Sequence, residues 1–170
     1  MHIVLDLDQT LIHTDKTGIT HARPGLKEFL AFLFKSFDSV SIWTAGTDKY
    51  AFRVISSLFP EHREKFMFIW SRGHTERING THFKPLEKMF SHPMAEYCGM
   101  TRENTIMIDD RDDILAFNPG NGLIVPEWYC DTPDDDWLFR LPRILRELKR
   151  LTVRPQDLKC SLYLYNASRT

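Results

Sequence analysis

Residues 3–10, Ile3-Val4-Leu5-Asp6-Leu7-Asp8-Gln9-Thr10, decide the fold. The run from Ile3 to Leu7 is short and apolar, as a strand covered on both faces is. Asp6 and Asp8 mark its carboxyl end. Working outward, four more short apolar segments follow: Val40-Ser41-Ile42-Trp43, Phe66 to Trp70, Thr105 to Ile108 and Leu123-Ile124-Val125. Helical patterns lie between them. Arg23-Pro24-Gly25 opens one in which Leu26, Phe29, Leu30 and Leu33 recur at helical spacing. Ala51, Val54, Ile55 and Leu58 mark another, ended by Pro60, and Trp137, Leu141, Leu145, Leu148 and Leu151 mark the last. The polar stretch Ser71 to Phe83 carries Asn79-Gly80, a tight-hairpin signal. Strands alternating with helices predict an α/β fold with a mostly parallel central sheet. Ligands bind such sheets beyond the carboxyl ends of the strands, where Asp6 and Asp8 fall.

Composition sets the outer bounds. The 170 residues are 42% hydrophobic and 26% charged, the balance of one globular domain rather than a disordered, collagen-like or coiled-coil chain. With 22 basic and 23 acidic residues the net charge is -1, so no stable nucleic-acid partner is expected. Cys98, Cys130 and Cys160 are odd in number and far apart. They make neither a disulfide framework nor a zinc knuckle, and point to a reducing, intracellular compartment, nuclear or cytoplasmic. No apolar run approaches the roughly 20 residues of a membrane span. The opening Met-His-Ile-Val-Leu-Asp does not read as a signal peptide.

Four clusters carry chemistry. Strand alternation places Asp6 and Asp8 on one side of the chain, close enough to repel unless a cation or a shared proton relieves them. A hard divalent cation such as Mg²⁺ is one relief, and a raised pKa that makes one member a general acid is the other. A phosphoester hydrolase can use both: one carboxylate attacks phosphorus, and the second moves the protons. The plain alternative is a pair of acids that merely terminates a strand. Thr44, in Ile42-Trp43-Thr44-Ala45-Gly46, suits a phosphate oxygen beside free backbone N–H groups, or else caps the helix that follows. Lys84, in His82-Phe83-Lys84-Pro85-Leu86, could neutralise phosphate and carboxylate; taken alone it reads as a solvated surface lysine. Ile106-Met107-Ile108-Asp109-Asp110-Arg111-Asp112-Asp113 ends an apolar strand in four acids. Asp109 or Asp110 could complete a cation site with Asp6, and Asp112 and Asp113 read as caps of a short helical turn at residues 114–117.

These clusters occur in the order acid-x-acid, Thr, Lys, acid-acid. In that order the chain resembles the haloacid dehalogenase superfamily. Within it, Asp6-Leu7-Asp8-Gln9-Thr10-Leu11-Ile12-His13, Arg23-Pro24-Gly25, Trp43-Thr44-Ala45-Gly46, Lys49-Tyr50 and Asn118-Pro119 resemble the phosphatases of the RNA polymerase II carboxy-terminal domain (CTD), especially the small ones. The likeness covers roughly residues 1 to 150. It implies a Rossmann-like sheet flanked by helices, a small hairpin insertion at about residues 68–83 and no large cap domain. It implies Asp6 as nucleophile and Mg²⁺ ligand, and Asp8 as general acid and base with its main-chain carbonyl on the metal. Asp110 would be the side-chain metal ligand, with Asp109 beside it. Substrate contacts would come from Thr10, Thr44, Ala45, Tyr50, Arg72 and Lys84. Tyr50 would pack on the proline of a Ser-Pro motif, and Arg72 would meet a second phosphate or a peptide carbonyl. The small CTD phosphatases carry Asn where Asp110 stands, Glu for Gln9, Asp for Pro85, and a groove phenylalanine where Lys16 falls.

The function expected from the resemblance is a Mg²⁺-dependent serine/threonine phosphoprotein phosphatase working through an aspartyl-phosphate on CTD-like Ser-Pro phosphopeptides. The alternatives are a phosphatase for a small metabolite or a nucleic-acid 3′-phosphate, and a non-catalytic phosphopeptide-binding module. The predicted phosphatase domain is 1–151. Residues 152–170 form a tail whose Leu162-Tyr163-Leu164-Tyr165 has strand propensity. An apolar strand of this kind needs a sheet edge, so it would dock on its own core or exchange between two copies, giving a monomer or a homodimer. A chain this compact could be encoded by a virus as readily as by a cell.

Overall fold

The computed structural model describes residues 1–113, 117–132 and 134–150. The opening run forms β1 (His2–Leu5), buried throughout. It sits at the centre of a sheet whose other strands are β4 (Ser39–Trp43), β5 (Ile69–Trp70), β8 (Thr105–Asp109) and β9 (Gly122–Ile124). The order is β5-β4-β1-β8-β9, and every pairing is parallel. A central strand between two parallel neighbours must be apolar on both faces, which explains a run without polar alternation.

The period of two then sorts the core. Ile3 and Leu5 join Val40, Ile42, Ile106 and Ile108 in one cluster, under α1 (Leu26–Ser36), α2 (Asp48–Leu58) and α5 (Trp137–Arg150). Val4, Trp43 and Met107 belong to the other, with Leu86 and Met89 of α3 (Leu86–Phe90) and Ala95 of α4 (Pro93–Tyr97). Three layers result. The five strands expected for the central sheet and the three long helices are all present. The third strand is shorter than its apolar run: only Ile69–Trp70 pair as a strand, while Met67 and Phe68 make single backbone bonds to Val40 and Ile42.

Two antiparallel pairs complete the fold. β2 (Ile12–Thr14) and β3 (Thr20–Ala22) form a hairpin between β1 and α1. β6 (Glu76–Ile78) and β7 (Thr81–Phe83) form the second, turned by Asn79 and Gly80 at φ 50° and 84°. Both turn residues are left-handed, as a type I′ turn requires. Gly25 opens α1 at φ +82°, and a Cβ there would lie 2.9 Å from the Phe139 ring, so the position is closed to side chains twice over. α5 runs through Pro142 because its apolar stripe of Leu138, Leu141, Ile144, Leu145 and Leu148 is buried.

Register positions the site. Leu5 pairs with Ile42 on one side and Ile108 on the other. Asp6 and Asp109 therefore emerge side by side at the carboxyl edge of the sheet, and Thr44 follows one residue after Asp6's neighbour Trp43 at the end of β4. Among the described residues no helix is long and apolar enough to cross a membrane. Cys98 and Cys130 are free thiols. Cys160, the expected tail strand and its exchange lie outside the described residues, as do residues 114–116 of the expected helical turn. Asp113 itself pairs with Arg111.

Candidate active site

Beyond Leu5 the chain leaves the sheet in a tight loop. Asp6 N–H still donates to Ile108 O at 3.0 Å. Leu11 and Ile12 N–H then both return to Leu7 O, at 2.9 and 3.0 Å, and Gln9 takes a left-handed φ of 59°. This coil holds Asp6 and Asp8 at the strand end.

Asp6, Asp109 and Asp110 form one cluster, each offering a carboxylate oxygen within 4.8 Å of the others. Asp6 and Asp109 are buried. Lys84, only 1% exposed, donates from Nζ to Asp6 Oδ1 and to Asp109 Oδ2, the latter at 2.9 Å. Burial pushes the Asp6 carboxyl up, as do Asp109 and Asp110, against the opposing pull of Lys84. Burial alone would lower Lys84, but Asp109 and Asp6 outweigh it and hold the ammonium charged. Asp110 is also raised by burial, against the bond from Thr10. Three carboxylates face one ammonium, an excess of two negative charges if all are ionised. All the ligand atoms are hard oxygens. A divalent cation such as Mg²⁺ fits this donor set in charge and in chemistry.

Asp8 stands outside this cluster. Tyr50 Oη donates to its Oδ1, and Thr44 Oγ1 lies 3.3 Å from its Oδ2. Thr44 is fully buried, and its hydroxyl accepts Gly46 N–H at 2.9 Å. The helix-cap reading of Thr44 is wrong: Thr47 caps α2, accepting from Tyr50 N–H. Asp8, Ala45, Gly46, Thr47, Tyr50 and Arg72 line one open groove of about 510 Å³. Arg72 donates from Nε to Ala45 O at 2.7 Å and from its N–H to Gly46 O at 2.8 Å, which ties the groove wall to the loop after β4. Thr10 lies elsewhere. It is fully buried and donates to Asp110 Oδ1 at 2.8 Å, behind the carboxylates rather than on the groove.

Several supporting residues escaped sequence reasoning. Asn118 clasps the backbone on both sides of Pro85, donating to Lys84 O at 2.9 Å and accepting Leu86 N–H at 2.8 Å. Buried Arg23 pairs with Asp135 through Nε and Nη2, at 2.8 and 2.7 Å, and donates to Thr10 O at 2.9 Å. Arg111 reaches His82 O at 3.0 Å, bracing the segment that delivers Lys84. Trp128 N–H bonds Gln9 O at 2.8 Å, so the chain after β9 crosses the Asp6–Asp8 loop. Arg23 and Asn118 did stand in motifs that carried the resemblance, but their partners are far away in sequence.

A buried lysine-carboxylate cluster thus stands at the carboxyl edge of a parallel sheet, with a second acid beside an open groove. The chain belongs to the NLI interacting factor-like phosphatase family, whose profile matches residues 1–157. It is 31% identical to ubiquitin-like domain-containing CTD phosphatase 1 of Danio rerio over 162 residues, covering 88% of this chain and 50% of that protein. The chain thus spans about half the length of the curated vertebrate relatives it matches. It is 26% identical to the CTD phosphatase-like protein 355R of Invertebrate iridescent virus 3, covering 86% of this chain and 96% of that one. The fold is also that of Fcp1, an essential RNA polymerase II CTD phosphatase, with a TM-score of 0.59 and 21% identity over 88% of this chain and 48% of that one.

Proposed function

We propose that this chain is a Mg²⁺-dependent intracellular phosphoprotein phosphatase that works through an aspartyl-phosphate on Asp6. The observation that carries the reading is the buried cluster in which Lys84 bonds both Asp6 and Asp109 with Asp110 beside them, while Asp8, two residues after Asp6, meets Thr44 and Tyr50. Asp6, Asp109, Asp110 and the Asp8 carbonyl would hold the cation. When bound, it supplies positive charge against the carboxylates and the phosphoryl oxygens.

The chain's own groups do the rest. The Asp6 carboxylate attacks phosphorus as the ester P–O bond breaks, and Asp8 gives its proton to the departing serine or threonine oxygen. Water then attacks phosphorus, Asp8 takes the water proton, and the bond to Asp6 breaks to release inorganic phosphate. Lys84 stabilises Asp6 as an anion and meets the incoming phosphate, and Thr44, its hydroxyl held by the Gly46 N–H, orients its oxygens with the N–H of Ala45. Attack requires ionised Asp6, whose burial opposes ionisation. That is why Lys84 must be buried too.

The groove supports a protein substrate. It is open, and among the described residues no large insertion covers it; the β6–β7 hairpin is the small insertion between β5 and Lys84. Tyr50 and Arg72 would contact a Ser-Pro phosphopeptide of the CTD type, a reading supported by relatives that are named CTD phosphatases. Domain bounds of 1–151 with a separate tail belong to the same proposal. The test is turnover, with and without Mg²⁺, on a phosphoserine-proline peptide, on sugar phosphates and on a 3′-phosphorylated oligonucleotide. Mg²⁺-dependent preference for the peptide is expected. Preference for either other substrate overturns the peptide assignment, and binding without turnover makes the chain a phosphopeptide-binding module.

A further inference from the structure

Tyr50 does more in this structure than line the groove. Its hydroxyl has one proton, and a carboxylate acceptor takes it: Tyr50 donates to Asp8 Oδ1. Thr14 Oγ1 lies 2.9 Å from Tyr50 Oη, and Thr20 Oγ1 lies 3.0 Å from Thr14 Oγ1. Because the Tyr50 proton is committed, Thr14 must donate to Tyr50, and Thr20 to Thr14. The direction of the whole chain follows: Thr20 to Thr14 to Tyr50 to Asp8. Thr14 and Tyr50 each accept one bond and donate one, the arrangement in which successive bonds polarise each other. Thr14 and Thr20 are directly paired across β2 and β3, so the relay starts on a rigid rung of the hairpin.

The ring is anchored as well. Gly46 allows the approach, since a Cβ there would lie 2.5 Å from Tyr50 Cδ1. Burial, and then the bond to Asp8, push the Tyr50 phenol above the ordinary tyrosine range, so it keeps its proton. The leaving oxygen and the attacking water meet phosphorus on the same side, so one Asp8 oxygen can serve as donor first and acceptor second. Both Asp8 oxygens accept a hydroxyl bond, but Thr44 Oγ1 donates to Oδ2 over a long 3.3 Å, so with Oδ1 held by Tyr50 the transferable proton belongs on Oδ2.

We propose that Tyr50 is the positioning residue of Asp8, with the Thr20–Thr14–Tyr50 relay fixing the rotamer of that carboxyl and reserving Oδ2 for proton transfer. The proposal rests on the phosphatase reading above and deepens it. It makes the β2–β3 hairpin part of the acid-base apparatus.

The test is a double-mutant cycle on 4-nitrophenyl phosphate, a substrate too small to need the peptide groove. Tyr50→Phe keeps the ring and removes one hydrogen bond to a charged group, so kcat falls about 10- to 100-fold while KM stays within about twofold. Thr14→Val gives a smaller loss in the same direction. In an Asp8→Asn background Tyr50→Phe has no further effect, because the group it positions is gone. An unchanged kcat, or an equal loss in both backgrounds, overturns the proposal and leaves Tyr50 as groove wall. A crystal structure of Tyr50→Phe supplies a readout independent of turnover: a second Asp8 rotamer is expected, and a single unchanged one contradicts positioning. Turnover that survives Asp6→Asn would sink the phosphatase mechanism instead, and the two failures are thereby distinguished.

Discussion

The two halves of the site are built in opposite ways. The carboxylate side is buried, charge-dense and carried on strand ends: Asp6 follows β1, Asp109 ends β8, and Lys84 joins them with 1% of its surface exposed. The groove side is open and rests on hydroxyls and loop carbonyls: Thr44, Tyr50, and Arg72 on Ala45 O. Sheet register fixes the first half to within a hydrogen bond. The second depends on side chains reaching across from a hairpin, a loop and a helix. Chemistry that every substrate shares belongs on the rigid half, where preorganisation is worth most. Thr44 and Tyr50 serve that shared chemistry through Asp8. Selectivity belongs to the outer groove wall, which loops can vary and which Arg72 ties to the loop after β4.

That contrast can be broken by substitution. Asp6→Asn should reduce turnover by a factor of at least about 10³ on every substrate, measured with peptide and aryl phosphate alike. A loss confined to the peptide would erase the distinction between the halves. Lys84→Met should lower kcat on both substrates by about 10²- to 10³-fold. It leaves buried carboxylates unpaired, a cost of about 3 kcal/mol, so the urea midpoint without Mg²⁺ should fall. Added Mg²⁺ should recover part of that stability. Arg72→Ala belongs to the open half. It should raise KM for the phosphopeptide about 3- to 10-fold and leave aryl phosphate kinetics within about twofold. Equal effects on the two substrates would place Arg72 in the shared chemistry.

The smallest effect lies far from both halves. His2 is buried with Nδ1 2.8 Å from Ser39 Oγ, and burial followed by the amino-terminal charge lowers its pKa below 6.5. With the folded value depressed, its contribution to stability is present above about pH 6.5 and is lost as the pH falls toward and through the folded value. Urea unfolding at pH 7.5 and 5.5 should show that loss, smaller in His2→Gln. An identical pH dependence in the variant would remove His2 from the account.

The same contrast explains how much was legible in the sequence. β1, β4 and β8 announce themselves because a central parallel strand is apolar in every position, and their terminal acids are neighbours of that signal. The Asn79-Gly80 hairpin is a local conformational signature. Asp6, Lys84, Asp109 and Asp110 could thus be named before any coordinate, although Lys84 alone looked like a surface residue. The positions on which they depend could not. Arg23 meets Asp135 across 112 residues, and Asn118 reaches back 34 residues to hold Lys84 O. No periodicity encodes such contacts. Tyr50 was named for its ring, while its hydroxyl bond to Asp8 depends on how the hairpin and α2 approach each other. Thr44 reads as a cap on sequence, and only the backbone turn after it, which brings Thr47 to the helix start, decides otherwise. The short α3, α4, β2 and β3 are stabilised by packing and by polar contacts rather than by a pattern long enough to read.

The central claim is that a phosphoryl group is carried on the Asp6 carboxylate. It is tested most directly by soaking crystals of the full chain with Mg²⁺ and beryllium trifluoride, a mimic of an acyl-bound phosphoryl group. The account predicts beryllium bonded to an Asp6 carboxylate oxygen, with Lys84 and Thr44 on the fluorines. An adduct on any other side chain, or crystals that take up the metal and leave Asp6 bare, would contradict it.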